Sequence, residues 1–353
     1  MNNFQYISLP SKIIFGSGAI SKTAAEIEAL GCKKAFLLST PFQADDVNKM
    51  AHQLDNKCAG VFHNATMHTP TDVTEKALHE LANSKADCIV AYGGGSTTGL
   101  AKAIAWRTDL PQIIIPTSYA GSEVTPILGQ TEDGIKTTIK DPKILPEVVI
   151  YDPDLTMSLP PKMTTTSGLN AIAHAAEALY AQDRNPISSL MALDGIQAMI
   201  RSLPIIQGDP QNVEAREDAL YGTWLCGTVL GSVGMALHHK LCHVIGGTFD
   251  LPHAETHAVI LPHAVAFNAA AVPELLRPIA DALQTDKPGL GLYNFAKSLN
   301  APTTLKELGM PEEGIDRAAE IAIANPYWNP REMERDSIRR LIEKAYHGIP
   351  PAR

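Results

Sequence analysis

Short runs of unbroken apolar residues alternate with amphipathic stretches through the first half of the chain. Residues 12–15 (KIIF), 34–39 (KAFLLS), 60–63, 87–92 (DCIVAY), 112–116 (QIIIP) and 147–151 (EVVIY) read as strands, most of them apolar on both faces. Between them, residues 19–30, 45–54, 71–82 and 97–106 read as helices. Thr71, Asp72 and Thr74 put good capping residues at the start of the third helix. Continuous apolar strands separated by helices describe a mainly parallel, Rossmann-like sheet covered on both faces.

Near residues 152–161 (DPDLTMSLPP) the pattern changes, and no convincing strand follows. Helical stretches cover 165–181, 186–202, 213–237, 273–283, 289–299, 311–324 and 330–347. The expectation is an α/β domain over 1–155 and an all-α domain over 156–353. The Pro-rich tail at 348–353 is expected to be loose.

Composition narrows the class of partner. A formal charge of −9 argues against nucleic acid or an anionic membrane, while leaving room for an anionic small substrate in a local cleft of opposite sign. The five cysteines are scattered and lack a C-x-x-C pair, which fits a reducing cytoplasm rather than a disulfide framework. The N-terminus has no signal-peptide core, and no apolar run reads as long enough to span a bilayer.

Three stretches carry chemistry. Residues 89–92 run into Gly93-Gly94-Gly95-Ser96 and then Thr97, a strand, glycines and a helix start. Glycines let the backbone approach an anion, and a helix N-terminus offers free N–H groups. The spacing is neither G-x-G-x-x-G nor a P-loop, and a tight turn is the ordinary alternative. Next, Thr117, Ser118 and Thr125 follow the strand at 112–116, at the sheet edge where ligands bind in such folds. A plain Ser/Thr loop would look the same.

The third stretch, residues 237–263 (LHHKLCHVIGGTFDLPHAETHAVILPH), holds half of the twelve histidines. His239 and His243 are four apart and share a helix face, and so do Asn170 and His174. Gly246 and Gly247 are expected to break the helix, and Pro252 to return His253 toward the first two imidazoles. Single histidines on such helices are commonly structural, but Asn170, His174, His239, His243 and His253 together form a site hypothesis. A metal site needs three or four converging ligands, and the cluster offers three imidazoles with an amide where a carboxylate would be expected.

In order along the chain, FGSG at 15–18, GGGSTTGLAKAIA at 93–105, PTSYAGSEVTPILGQTEDGIKTT at 116–138, GLNAIAHAAEALYA at 168–181, the histidine stretch and NPYWNPR at 325–331 resemble the iron-containing alcohol dehydrogenase superfamily. Within it they are similar to the branch that reduces maleylacetate. The resemblance implies a dehydroquinate synthase-like fold and a homodimer, with residues 12–15 pairing between subunits. It assigns Gly94, Gly95, Ser96 and Thr97 to the dinucleotide pyrophosphate. Thr117, Ser118 and Thr125 would border the nicotinamide, Lys136 would reach the ribose and Leu155 would pack on the nicotinamide. His174, His239 and His253 match metal ligands, His243 matches a histidine near the substrate, and Asn170 stands where metal-dependent relatives carry Asp. Gly99 also replaces an Asp common in relatives.

The activity so implied is NAD(P)H-dependent reduction of the C=C bond of maleylacetate, a small dicarboxylate, to 3-oxoadipate during aromatic degradation. No metal is expected. An enolate is less basic than an alkoxide, so hydrogen-bond donors can stabilise it without a Lewis acid. His243 is the expected acid, with the other imidazoles and Asn170 shaping the oxyanion site. Lys240, Tyr327 and Arg331 are candidates for carboxylate contact. NADH is expected with NADPH tolerated, because Leu38-Ser39-Thr40-Pro41 carries no acid before Asp45 and no arginine. The rivals are a metal-dependent alcohol or aldehyde dehydrogenase, a dehydroquinate synthase-like lyase and a nucleotide-binding sensor.

Overall fold

The computed structural model describes residues 4–9 and 11–351. They divide into two compact units: residues 8–159, and residues 160–351 with residues 4–7.

Six parallel strands form the core of the first unit: β1 (Lys12–Phe15), β2 (Ala35–Leu38), β3 (Cys58–Phe62), β4 (Cys88–Gly93), β5 (Gln112–Pro116) and β8 (Val148–Tyr151), in the order β1-β8-β5-β4-β2-β3. Helices α1 (Thr23–Ala29), α2 (Ala44–Leu54), α3 (Thr71–Ser84) and α4 (Gly95–Thr108) connect them. Side-chain alternation explains why the strands read as apolar throughout. Leu37, Val90, Tyr92, Ile113 and Ile115 pack with Ile27 of α1 and Val47 and Met50 of α2. Phe36, Leu38, Ile89, Ala91 and Ile114 pack with Leu81 of α3 and Leu100 and Ile104 of α4. Each such fully buried side chain contributes about 1.5–3 kcal/mol, so both layers are held by burial rather than by helix propensity. From β2 the chain steps outward to β3, and from β4 inward to β5. The ends of β2 and β4 therefore flank the point where strand order reverses, which is where open α/β sheets bind ligands.

Two features depart from the sequence reading. Residues 19–22 form a 3₁₀ turn ahead of α1 rather than part of it. An unexpected antiparallel hairpin, β6 (Ile127–Glu132) and β7 (Ile135–Lys140), follows the Ser/Thr loop.

Nine helices make up the described part of the second unit: α5 (Pro161–Tyr180), α6 (Pro186–Gly208), α7 (Val213–Ser232), α8 (Leu237–Phe249), α9 (His253–Ala269), α10 (Pro273–Ala282), α11 (Pro288–Ser298), α12 (Gly314–Ala324) and α13 (Arg335–His347). The helix expected over 213–237 ends at Ser232, and α8 starts at Leu237 after a 93° change of direction. Gly246 and Gly247 do not break α8, which runs on to Phe249. Its contacts with α9 and α12 stabilise the helix enough to carry the glycine cost of ~1 kcal/mol each.

By length and composition α6 could cross a membrane, contrary to the expectation of no such run. Here it packs against α5 and α7, where Gly195 lies so close to Cys226 that a Cβ would come within 2.8 Å of its sulfur. The described part of the tail is held rather than loose: Gly348 accepts the Tyr293 hydroxyl at 2.7 Å, and Pro351 is buried. The last two residues of that expectation, 352 and 353, lie outside the described residues.

Candidate functional site

In the first unit the strand-to-helix turn after β4 forms a cradle. Gly93 has φ +152°, and a Cβ there would sit 2.3 Å from Thr97 Oγ1. A Cβ on Gly94, the N-cap of α4, would come within 2.8 Å of Ser118 Oγ. Only glycine lets these segments approach so closely. No side chain caps the helix, and the buried Thr97 hydroxyl has no protein partner. Glycine backbone, an uncapped helix start and an orphaned hydroxyl fit an anionic group such as a dinucleotide pyrophosphate.

The neighbouring residues split into those facing this cradle and those committed elsewhere. Thr117 N–H donates to Gly93 O at 3.1 Å, and Thr117 Oγ1 accepts from Gln43 Nε2 at 2.8 Å. Thr125 Oγ1 is spent internally: it accepts from Lys102 Nζ at 2.9 Å and donates to Ser122 O at 3.0 Å. Lys102, wholly buried beneath that loop, also reaches Ile127 O, and burial pushes its ammonium down to about 7. Leu155 packs on the sheet core that includes Ile14 and Ile113. Lys136 lies on β7 opposite Thr131.

In the second unit the histidine cluster is organised by Glu177, which the sequence reading missed. It lies three residues after His174 on α5 and is fully buried. Its carboxylate accepts the backbone N–H groups of Ala236 (2.9 Å), His238 (2.7 Å) and His239 (3.4 Å), and His239 Nδ1 at 2.7 Å. One anion thus caps the start of α8 and fixes an imidazole tautomer. Burial alone would raise this carboxyl, but the His239 hydrogen bond, the neighbouring imidazoles and the Ala236 N–H bring it down to about 2.

The imidazoles form a contiguous group. Ring centroids of His174 and His239 are 5.2 Å apart, His239 and His243 6.1 Å, His239 and His257 5.1 Å, and His253 and His257 4.2 Å. Burial first, then neighbouring imidazoles, holds His174 and His257 well below the usual histidine range; burial likewise pushes His238 down to about 4. Those three rings are neutral near pH 7, each with one N–H and one lone pair. Asn170 Oδ1, His174 Nδ1, His239 Nε2 and both His257 nitrogens are buried without a protein partner. Because His239 Nδ1 donates to Glu177, its Nε2 presents a lone pair.

All five expected residues therefore lie on the elements building this cluster, and His257 joins them. Its place was signalled by the i, i+4 spacing from His253 on α9. His238, His239 and His257 place ligand-type nitrogens within 4.8 Å of one another. His243 is less buried, with Nδ1 3.2 Å from the Tyr327 hydroxyl. Lys240 Nζ lies 5.3 Å over the Tyr327 ring. Arg331 donates to Phe267 O at 3.0 Å and stacks 4.1 Å over the Phe267 ring. Lys240 and Tyr327 lie beside His243.

Comparison with known proteins agrees in both units. The profile of iron-containing alcohol dehydrogenase matches residues 10–153, and that of the Fe-containing alcohol dehydrogenase family, C-terminal, matches residues 164–346. The chain is 57% identical over 351 residues to the maleylacetate reductase of Rhizobium sp. (strain MTP-10005), covering 99% of this chain and 100% of that one. It is 53% identical to the maleylacetate reductase of Sphingobium indicum, covering 99% of each. The crystal structure of maleylacetate reductase from Agrobacterium tumefaciens superposes with a TM-score of 0.97 at 56% identity, over 99% of this chain and 100% of that one.

Proposed function

The chain belongs to the iron-containing alcohol dehydrogenase family, and on that premise we propose that it reduces the C=C bond of maleylacetate to 3-oxoadipate through neutral imidazoles, without a metal. It is an oxidoreductase of the maleylacetate reductase branch. The observation that carries the metal-free reading is the donor set. Asn170, His174, His239 and His253 offer an amide and three imidazoles, and the carboxylate nearest them in sequence, Glu177, is already used by three N–H groups and an imidazole. That set lacks the anionic ligand suited to a divalent iron, so no step is routed through one.

The glycine cradle with Gly94, Gly95, Ser96 and Thr97 would hold the pyrophosphate of NADH or NADPH, which supplies a hydride when bound. Hydride addition to the alkene carbon β to the ketone moves the π electrons onto the ketone oxygen as an enolate. N–H groups of His174 and His257 are suited to hydrogen-bond that oxyanion. His243, oriented by Tyr327, is suited to deliver the proton that restores the ketone at the adjacent carbon. His239 is braced by Glu177 and turns its Nε2 lone pair to the site. Replacing a carboxylate by Asn170 removes a charge that would repel a dicarboxylate. The same reading makes the enzyme a cytoplasmic homodimer acting on a small acid.

The test is NADH oxidation by maleylacetate with protein exhaustively treated with chelator. Full activity is expected. Loss restored by zinc or iron would instead make Asn170 a tolerated ligand beside His174, His239 and His253, and the enzyme a metal-dependent alcohol or aldehyde dehydrogenase.

A further inference from the structure

The segment between α12 and α13 enters the reaction so far only through Tyr327. α12 ends at Ala324 and α13 starts at Arg335, so residues 325–334 form neither helix nor strand. Pro326 and Pro330 fix their own φ and disfavour helix in the residues before them. Tyr327 and Trp328 are 37% and 42% exposed, so burial does little to place them.

Asn329 supplies what packing does not. Its carboxamide pairs reciprocally with that of Asn268 on α9: Asn268 Nδ2 donates to Asn329 Oδ1 at 2.9 Å, and Asn329 Nδ2 donates to Asn268 Oδ1 at 2.7 Å. Asn329 Nδ2 also donates to Arg331 O at 2.7 Å, and its Oδ1 accepts the N–H of Leu237, the first residue of α8, at 3.4 Å. Both donors and both lone-pair positions of this amide are used. Asn268 is fully buried and hydrogen-bonds Tyr180, whose hydroxyl donates to Glu177 Oε1 at 3.3 Å. A buried polar network with every member satisfied rigidifies what it joins. Here it joins the segment bearing Tyr327 to α8, which carries His239 and His243, to α9, which carries His253 and His257, and to the carboxylate that braces His239.

We propose that Asn329 is a positioning residue for proton delivery: its pairing with Asn268 sets the Tyr327 hydroxyl against His243 Nδ1 and so holds that imidazole in the orientation that delivers the proton. This rests on the reading of His243 as the acid oriented by Tyr327. Asn329 acts on the reaction through Tyr327 alone.

The test compares Asn329→Asp, Tyr327→Phe and the double variant in the intact protein. A carboxylate has nearly the same shape as the amide but cannot donate to Asn268 Oδ1 or Arg331 O. Asn329→Asp should lower kcat and kcat/KM for maleylacetate together, by about tenfold or more, because a reacting group displaced by about an ångström costs up to about a hundredfold. NADH affinity, titrated without substrate, should hold. The solvent deuterium isotope effect on kcat should rise as proton delivery becomes the slow step, whereas a loss of folded enzyme leaves that ratio where it was. In the Tyr327→Phe background the same substitution should add little, because both act on one contact. Asn329→Ala, which adds no charge, should repeat the pattern and serves where the carboxylate prevents folding. Wild-type turnover in the Asn329 variants, additive losses in the double variant, or an unchanged isotope effect overturns the positioning role and leaves the reductase reading standing. Undiminished turnover in Tyr327→Phe removes the paired Tyr327 and His243 from proton delivery, and the role of Asn329 with them. Wild-type protein that fails to oxidise NADH with maleylacetate removes the reductase reading itself.

Discussion

At the scale of single residues, Glu177 carries more of the second unit's chemistry than any histidine, because it serves a helix start and an imidazole at once. Glu177→Gln keeps the shape but replaces an acceptor-only carboxylate with an amide that must donate as well. Turnover should fall at least tenfold and Tm should drop, since weakening a buried, fully used anion costs several kcal/mol. Steady-state kinetics beside a thermal melt checks both. His263 makes a separate prediction. It is buried, its Nε2 has no partner, and burial followed by Lys344 pushes it down to about 4. A folded value below the unfolded one means stability that is present above about pH 6.5 and lost as pH falls toward 4, up to ~3 kcal/mol. His263→Leu should flatten that part of the Tm-against-pH curve; an unchanged slope would refute it. The histidines were legible in the sequence because i, i+4 spacing maps directly onto one helix face. Glu177 was not, because a carboxylate on an Ala-rich helix looks solvated until the segment it caps, residues 236–239, folds back onto it from about sixty positions away.

Among elements, the strand, glycine turn and helix at β4–α4 are the most constrained. Gly93→Ala would force a side chain into a left-handed conformation and against Thr97 Oγ1. NADH affinity should fall at least tenfold while the far-UV circular dichroism spectrum holds. Unchanged affinity would remove the cradle from the cofactor site. The six sheet strands were readable because burial on both faces leaves a continuous apolar run. The β6–β7 hairpin was not, since Ile135-Lys-Thr-Thr-Ile-Lys140 is mostly exposed and presents no apolar face. Its one signal was Asp133-Gly134, whose φ values of 50° and 77° match a tight hairpin turn. The break between α7 and α8 was hidden for the opposite reason: both sides of it are apolar and helical, and the turn at residues 233–236 is held by Glu177 rather than by any local proline.

For the molecule as a whole, the metal-free reading predicts that chelator leaves Tm unchanged. NADH at a hundred times its Kd should add about 2.7 kcal/mol to the folded state. Scanning calorimetry with and without each addition distinguishes the two, and a Tm lowered by chelator would contradict the first. Division into an α/β half and a helical half was legible from the loss of strand patterning near residue 152, whereas the order of the sheet strands needed the structure, because apolar runs do not say which neighbour they pair with. Gln43 bears on this larger scale as well. By accepting from Thr40 and donating to Thr117, it fastens the ends of β2 and β5 before any cofactor arrives. The loss of loop freedom has then been met during folding and is not charged again at binding. Cofactor capture should accordingly be a single fast step, its rate set by diffusion and orientation, with no slow rearrangement following the encounter.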